Sequence, residues 1–353
     1  MNKYYKNRSV RHLGAGRFLL AAVLALLFAS CRQQEPVRLY GEAQGTYYSI
    51  LYYDAQQRNF QPQIDSLLAA FDLSASLWVD SSLLRRLNAN LTDSLDDILY
   101  PLLTNSIYIE NYTGGAFNCR VGRIVQAWGF SFRQREELDN ATLDSLLRSA
   151  HGNVWLDTTA DFINALIRKE DPATELDFNA IAQGYSVDLL AEWFEHRLGI
   201  HNFLIDIGGE VIAKGHKPSG ETWSVGIERP AADCYDAPEV ETAIRLEDAS
   251  VVTSGNYRKY YERDGVRYSH TIDPATGRPV QHSLLSASVV SRQSWYADAM
   301  ATAFMVMGLD RALQFIADHP DNPDIQAVFF IYDDNGEYRT HSTPAFQQLI
   351  IEQ

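Results

Sequence analysis

An aspartate and a threonine lie one helical turn apart in the last third of the chain, at Asp298 and Thr302. The spacing of apolar residues predicts a helix over residues 296–307 that ends at Gly308, with both side chains on one face near its start. A carboxylate and a hydroxyl presented together suit a hard divalent cation such as Mg²⁺, which prefers oxygen ligands. The structural alternative is an acid that only caps the helix or interacts with its dipole.

A histidine precedes a polar turn in the same region. His270 is followed by the Asp-Pro-Ala-Thr-Gly sequence that begins at Asp273, a composition typical of a tight turn. An imidazole there could accept the proton of an attacking hydroxyl, although a single histidine is more often structural. The Asp264-Gly265 dipeptide also predicts that residues 251–272 form a hairpin.

Three linked sequences in this region resemble the signature of the ApbE family, the FAD:protein FMN transferases. They are Thr-Ser-Gly at 253–255, His-Thr-Ile-Asp-Pro-Ala-Thr-Gly-Arg-Pro at 270–279 and Ala-Asp-Ala-Met-Ala-Thr at 297–302. With further matches upstream, the resemblance covers roughly residues 40–310. It implies an α+β fold of the ApbE type, T-fold-like, in which antiparallel sheets are flanked by helices and the flavin site lies between two interlocked parts.

The resemblance also implies a reaction and a set of site residues. The reaction is transfer of FMN from FAD onto a Thr or Ser hydroxyl of a target protein, with release of AMP. His270 and Asp298 would be catalytic, and Mg²⁺ would be held by Asp298, Thr302 and the backbone oxygen of Ala180. The residues placed at FAD are Gln44, Trp78, Ala116, Phe117, Asn118, Asp177, Gln183 and Ile272.

The chain departs from the family pattern at several of these positions. Asn118 replaces an acid, Asn179 a glycine and Gln183 a lysine, and Ala301 stands where a second acid is common. An asparagine at 118 can still form hydrogen bonds with the edge of a base. Gln183 lacks the positive charge that a lysine would offer to a phosphate, and Ala301 lacks the carboxylate that a second metal would need. Two alternatives therefore stay open beside the transferase. One is an FAD pyrophosphatase that gives FMN and AMP, and the other is a non-catalytic FAD-binding lipoprotein.

Composition narrows the class of protein. The 353 residues are 46% apolar and 21% charged, which is typical of a globular chain. A formal net charge of −15 argues against nucleic acid as a partner, because no basic surface is in excess. An acidic protein that handles an anionic substrate needs local positive charge, and this favours a bound cation.

The N-terminus has the pattern of a bacterial lipoprotein signal. Basic residues precede an apolar segment at 18–28 that is too short to span a membrane comfortably, and Ala29-Ser30 precede Cys31. We expect a signal peptide over 1–30, lipidation of Cys31, a tether over 31–38 and a single domain over 39–353. The alternatives are an ordinary signal peptide or a retained anchor helix. The expected location is a bacterial membrane facing the periplasm, with flavin-bearing subunits of membrane redox complexes as acceptors.

Hydrophobic periodicity predicts the remaining elements. Helices are expected at 64–73, 101–113 and 311–318. Strands are expected at 39–53 with a break near Gly45, at 202–215 as two strands joined by a Gly208-Gly209 turn, and at 223–230, 285–291 and 327–332.

Overall fold

The computed structural model describes residues 35–130, 138–157, 165–230, 239–256, 260–263 and 266–351. Contacts divide the chain into Met1–Glu35 and Pro36–Gln353, and every element below belongs to the second unit. The expected signal peptide and Cys31 lie outside the described residues, as does the Asp264-Gly265 turn. Within the described ranges, no helix is both long and apolar enough to cross a bilayer.

Sixteen strands are described, and eight of them form one antiparallel sheet. In chain order the strands are β1 (Val37–Ala43), β2 (Thr46–Tyr52), β3 (Val154–Asp157), β4 (Leu166–Lys169), β5 (Phe203–Ile207), β6 (Glu210–Lys214), β7 (Trp223–Glu228), β8 (Val240–Leu246), β9 (Ala249–Gly255), β10 (Tyr260–Arg263), β11 (Val266–Ser269), β12 (Ile272–Asp273), β13 (Arg278–Pro279), β14 (Leu284–Ser291), β15 (Ala327–Asp334) and β16 (Glu337–Ser342). The large sheet has the spatial order β1-β2-β5-β6-β9-β14-β15-β16. The other strands form two-stranded pairs.

Helices flank the sheet. They are α1 (Gln61–Ala75), α2 (Leu83–Asn88), α3 (Leu99–Tyr112), α4 (Gly122–Ala127), α5 (Asn140–His151), α6 (Ala182–Glu192), α7 (Ser294–Met307), α8 (Leu309–Asp318) and α9 (Pro344–Leu349). A π-helical segment, Trp193–Leu198, continues α6. Helices packed on an antiparallel sheet confirm the expected α+β class.

The strand that carries the Thr-Ser-Gly sequence is central in the sheet, which corrects the hairpin expected over residues 251–272. β9 pairs with β6 on one side and β14 on the other, so it is not an arm of that hairpin. Its Val251 and Val252 are both buried, because the strand is covered on both faces. Only the later part of the prediction is confirmed, since β10 and β11 pair with each other.

Helix α7 is buried on almost every side. All its residues except Trp295 and Thr302 are buried, and it packs against β9, β14 and α6. It begins at Ser294, two residues before the expected start, so Asp298 lies in the second turn. The expectation that Asp298 stands at a helix start is therefore wrong, and a capping role for it on α7 is excluded.

The remaining predicted elements are confirmed within a few residues at each end. The expected helix at 64–73 lies inside α1, and that at 101–113 corresponds to α3, whose first turn accommodates Pro101. The expected strand pair at 39–53 is β1 and β2, which turn at Gln44 and Gly45 with positive φ at both. The flanking strands thereby place Gln44 at the end of the sheet.

Candidate active site

The loop that leads into α6 holds one group of predicted residues together. The side-chain amide of Asn88 forms two hydrogen bonds with the backbone of Leu176. Its Oδ1 accepts the Leu176 N–H at 2.8 Å and its Nδ2 donates to the Leu176 carbonyl at 2.9 Å. The next residue, Asp177, donates its N–H to the Cys119 carbonyl at 2.7 Å. Asp177 therefore lies beside the segment that contains Asn118, and the structure brings these two predicted FAD residues together.

The side chains of Asp177 and Asn118 differ in the number of hydrogen bonds that they form within the protein. Asp177 is buried and accepts one backbone N–H, from Asn179, at 2.9 Å. Burial raises the pKa of this carboxyl to about 6, and the Asn179 N–H lowers it in part. The Asn118 amide donates to the Ala150 carbonyl at 3.3 Å and accepts the Arg120 N–H at 2.7 Å. Asn118 thus keeps one N–H and one lone pair for a ligand.

A second group of predicted residues meets at the Gly208-Gly209 turn. Gly208 has φ 64°, and a Cβ there would lie 2.3 Å from Gln183 Nε2 and 2.7 Å from Thr46 Cγ2. Gln183 also donates to the Ile207 carbonyl at 3.2 Å. Only glycine fits this approach, because it combines a positive φ with direct contact to two side chains. The turn thus brings Gln183 to the β1–β2 turn that contains Gln44.

Gln44 carries an unsatisfied donor in this group. Its Oε1 accepts the Ser186 hydroxyl at 3.3 Å, whereas its buried Nε2 has no hydrogen-bond partner in the part of the chain that the structure describes. A buried amide nitrogen without an acceptor is costly, so such a group indicates a missing partner. An oxygen or ring nitrogen of bound FAD would satisfy it, and the residues present therefore fit this substrate.

Asp298 contacts the first turn of α6. Its Oδ2 accepts the Gly184 N–H at 3.0 Å. This N–H belongs to the first turn of α6, whose backbone donors have no acceptor within the helix, and Ala180 lies two residues before the helix begins. The helices approach closely here, since a Cβ on Gly184 would lie 2.5 Å from the Ser294 carbonyl oxygen. The Gly184 N–H thereby joins Asp298 to the first turn of α6, which begins two residues after Ala180.

The environment of Asp298 favours its neutral form when no cation is present. The side chain is 5% exposed, and burial raises the pKa of the carboxyl to about 7. The Gly184 N–H opposes this shift, and the negative charge of Asp188 adds to it. A cation bound here would reverse the preference, because it stabilises the carboxylate directly.

Thr302 and His270 are connected through the end of β9. The Thr302 hydroxyl lies 3.2 Å from that of Ser254. Two residues later, Asn256 Oδ1 accepts the Thr271 hydroxyl at 2.7 Å, and Thr271 directly follows His270. His270 itself is partly buried at a bend. The strand thus ties the segment of the candidate base to the face of α7 that carries Thr302.

Four predicted FAD residues lie in two kinds of environment. Trp78 is 61% exposed on the loop between α1 and α2, and an indole is a suitable side chain for stacking on a flavin or adenine ring. The side chains of Ala116, Phe117 and Ile272 are buried in apolar clusters. Contact of these three residues with FAD would therefore be made mainly by their backbone.

The donors around Asp298 suit a single hard cation. Among the described residues, no group of three or more His, Cys, Asp or Glu side chains is placed to hold a metal. The predicted set contains one carboxylate, one hydroxyl and one carbonyl, and Mg²⁺ accepts such oxygens and completes its shell with water and substrate phosphates. The oxygen donors of this set therefore fit Mg²⁺. A cavity of about 620 Å³ beside α5 is lined by none of the predicted site residues.

Sequence reasoning missed the residues that hold the site in place. Four residues each form a hydrogen bond that joins two segments of the site, and each lies within a sequence that resembles the family. They are Asn88, Gly184, Asp188 and Ser254. The only local signal was Gly184, since a glycine inside a helical pattern usually marks a close approach.

Comparison with known proteins defines the class first. The FAD:protein FMN transferase of Vibrio cholerae is 32% identical over 341 residues, which cover 94% of this chain and 98% of that protein. The Haemophilus influenzae protein of the same name is also 32% identical, over 94% and 96% of the two chains. The crystal structure of the Pseudomonas stutzeri flavinyl transferase ApbE superimposes with a TM-score of 0.76 at 29% identity, over 90% of this chain and 98% of that one. The expectation of an enzyme, a transferase, is confirmed.

The family follows from the same comparisons. The ApbE family matches residues 44–329 of this sequence. The chain belongs to the ApbE family, and the resemblance drawn from its motifs is confirmed.

Proposed function

We propose that this protein transfers FMN from FAD to a Ser or Thr hydroxyl of a partner protein and releases AMP, with Mg²⁺ held by Asp298, Thr302 and the Ala180 carbonyl. The relatives are named for FMN transfer from FAD to protein. The observation that carries the proposal is the bond from the Gly184 N–H to Asp298, which holds this carboxyl against the first turn of α6, just after Ala180. A bound Mg²⁺ would neutralise charge on the pyrophosphate of FAD.

The chemistry needs an activated hydroxyl. The acceptor oxygen attacks the phosphorus of the FMN half, the bond from this phosphorus to the bridging oxygen breaks, and AMP leaves with that oxygen. The hydroxyl proton passes to His270, which is the candidate general base. Gln44 and Asp177 orient FAD, while Trp78 stacks on one of its rings. Gln183 takes the place of a family lysine and offers an amide donor where the lysine would offer a charge.

One assay separates the transferase from its alternatives. Mature protein, FAD, Mg²⁺ and Thr-containing candidate acceptor proteins are incubated, and the acceptors are analysed by mass spectrometry. We expect the mass of the acceptor to increase by one FMN group attached through a phosphodiester, with one AMP released for each adduct. Release of FMN and AMP without an adduct would identify a pyrophosphatase. FAD that stays intact would identify a binding protein.

The location and the acceptors are part of the proposal. The N-terminal sequence supports a lipid anchor at Cys31 and a periplasmic domain, and flavin-bearing subunits of membrane redox complexes would then be within reach. Replacing Cys31 by alanine should move the protein from the membrane fraction to the soluble fraction, because a lipidated residue is lost. Cys119→Ala serves as the control, since Cys119 is a buried thiol. Membrane retention of Cys31→Ala would reject the anchor.

A further inference from the structure

Helices α6 and α7 each carry an aspartate that accepts backbone N–H groups from the first turn of the other helix. From α7, Asp298 accepts the Gly184 N–H of α6. From α6, Asp188 accepts two N–H groups of α7, that of Ser294 at 2.9 Å through Oδ1 and that of Trp295 at 2.8 Å through Oδ2. Each helix therefore supplies the acceptor for backbone donors that the other helix leaves unsatisfied.

The hydrogen bonds to Asp188 fix how α7 is rotated about its axis and how closely it packs against α6. Neither Gln293 at its start nor any other residue of its own caps α7 by a side chain, so Asp188 is its cap. Two bonds from one planar carboxylate fix both the position and the direction of the first turn. Asp298 follows Ser294 by four residues, on the same helical face. A shift of the Asp188 bonds would therefore be transmitted to Asp298 along a single turn of rigid helix.

The close contact at Gly184 prevents α7 from moving closer to α6. An added Cβ would lie 2.5 Å from the Ser294 carbonyl oxygen and 2.8 Å from Asp298 Cβ. The helices are already at the minimum separation that a glycine allows, so α7 cannot move closer to recover a lost bond. It can only move away, which would separate Asp298 from the first turn of α6.

We propose that Asp188 is a positioning residue for the cation site, which it sets by holding the first turn of α7 against α6. Asp188 contacts neither FAD nor the cation in this role, and it acts through Asp298. The inference rests on the proposed function, because it takes Asp298, Thr302 and the Ala180 carbonyl to be the ligands. Residues that orient ligands from outside the coordination shell typically change metal affinity by about 10- to 100-fold.

The test compares two substitutions at Asp188 with a control variant that loses a carboxylate cap from another helix. Asp188→Asn keeps the size and one acceptor, whereas Asp188→Ala removes both. The control is Asp139→Ala, which removes a carboxylate cap from α5, where Asp139 accepts the Thr142 N–H at 2.7 Å. Mg²⁺ binding is measured as the MgCl₂ concentration that gives half of the Mg²⁺-induced rise in Tm at saturating FAD. Transfer is measured over the same MgCl₂ range.

The expected result is a graded loss of Mg²⁺ affinity. The half-saturating MgCl₂ should rise by about 10- to 100-fold in Asp188→Ala and by less in Asp188→Asn, with kcat recovering in excess MgCl₂. Asp139→Ala should lower Tm with the wild-type Mg²⁺ dependence. Unchanged Mg²⁺ dependence in both Asp188 variants would overturn this inference alone. A wild-type protein that transfers no FMN and shows no Mg²⁺-induced rise in Tm would overturn the proposed function and this inference with it.

Discussion

Replacing Asp298 by asparagine is expected to lower FMN transfer by about 10³-fold or more while the protein stays folded. Asparagine keeps an oxygen that accepts the Gly184 N–H, so the packing between α6 and α7 is retained. It removes the one carboxylate of the proposed cation site. A divalent cation supplies several kcal/mol of stabilisation to developing charge, and each 1.4 kcal/mol is a factor of ten in rate. Transfer is measured as FMN adduct formed per minute at saturating FAD.

The stability of the same variant gives a second, independent result. Burial raises the pKa of Asp298 from 3.8 to about 7 in the folded protein. Between these values the unfolded chain has lost the proton that the folded chain keeps, so stability falls as pH rises through this window. Without Mg²⁺, Asp298→Asn should therefore unfold at higher urea concentration than the wild type at pH 8, with the difference vanishing near pH 4. Equal transfer rates, or a variant less stable at pH 8, would contradict the assignment of Asp298.

Replacing His270 by glutamine should lower the transfer rate by about 10²- to 10⁴-fold without affecting the binding of FAD or Mg²⁺. Glutamine is of similar size and polarity but cannot accept a proton, so the loss measures general-base catalysis. The rate is measured by single-turnover formation of the FMN adduct. The Mg²⁺-induced rise in Tm, measured in parallel, should match that of the wild type.

The matched control for this substitution is His341→Gln. His341 is an exposed residue of the edge strand β16 and belongs to none of the clusters at the site. Its replacement should leave the single-turnover rate unchanged. A His270→Gln enzyme that transfers FMN at the wild-type rate would show that another group, or water, accepts the hydroxyl proton.

The candidate ligands on α7 could be grouped from sequence alone because one short motif carries both of them. Asp298 and Thr302 are separated by one helical turn, so their common face follows from helix geometry alone. The turn between β1 and β2, the Gly208-Gly209 turn and most strands likewise follow from local composition. These features depend on residues near each other in the chain, and the structure confirms them.

The supports of the site were not predictable, because each joins residues far apart in sequence. The bond from Gly184 to Asp298 spans 114 positions, and the Asp188 cap of α7 spans 106 to Ser294. Periodicity does not indicate which helix packs on which. For the same reason β9 was assigned to a local hairpin, although its partners β6 and β14 come from separate parts of the chain. Tertiary packing decided each case.

The burial of α7 has a consequence for how the enzyme meets its two substrates. A helix enclosed by the sheet and by α6 has lost its conformational freedom when the chain folds, so binding a cation there requires little further ordering. The geometry that α7 would offer to the pyrophosphate in the proposed site is therefore the same whichever acceptor arrives. Any adjustment to the shape of an acceptor protein would then fall to exposed segments of the chain and not to α7.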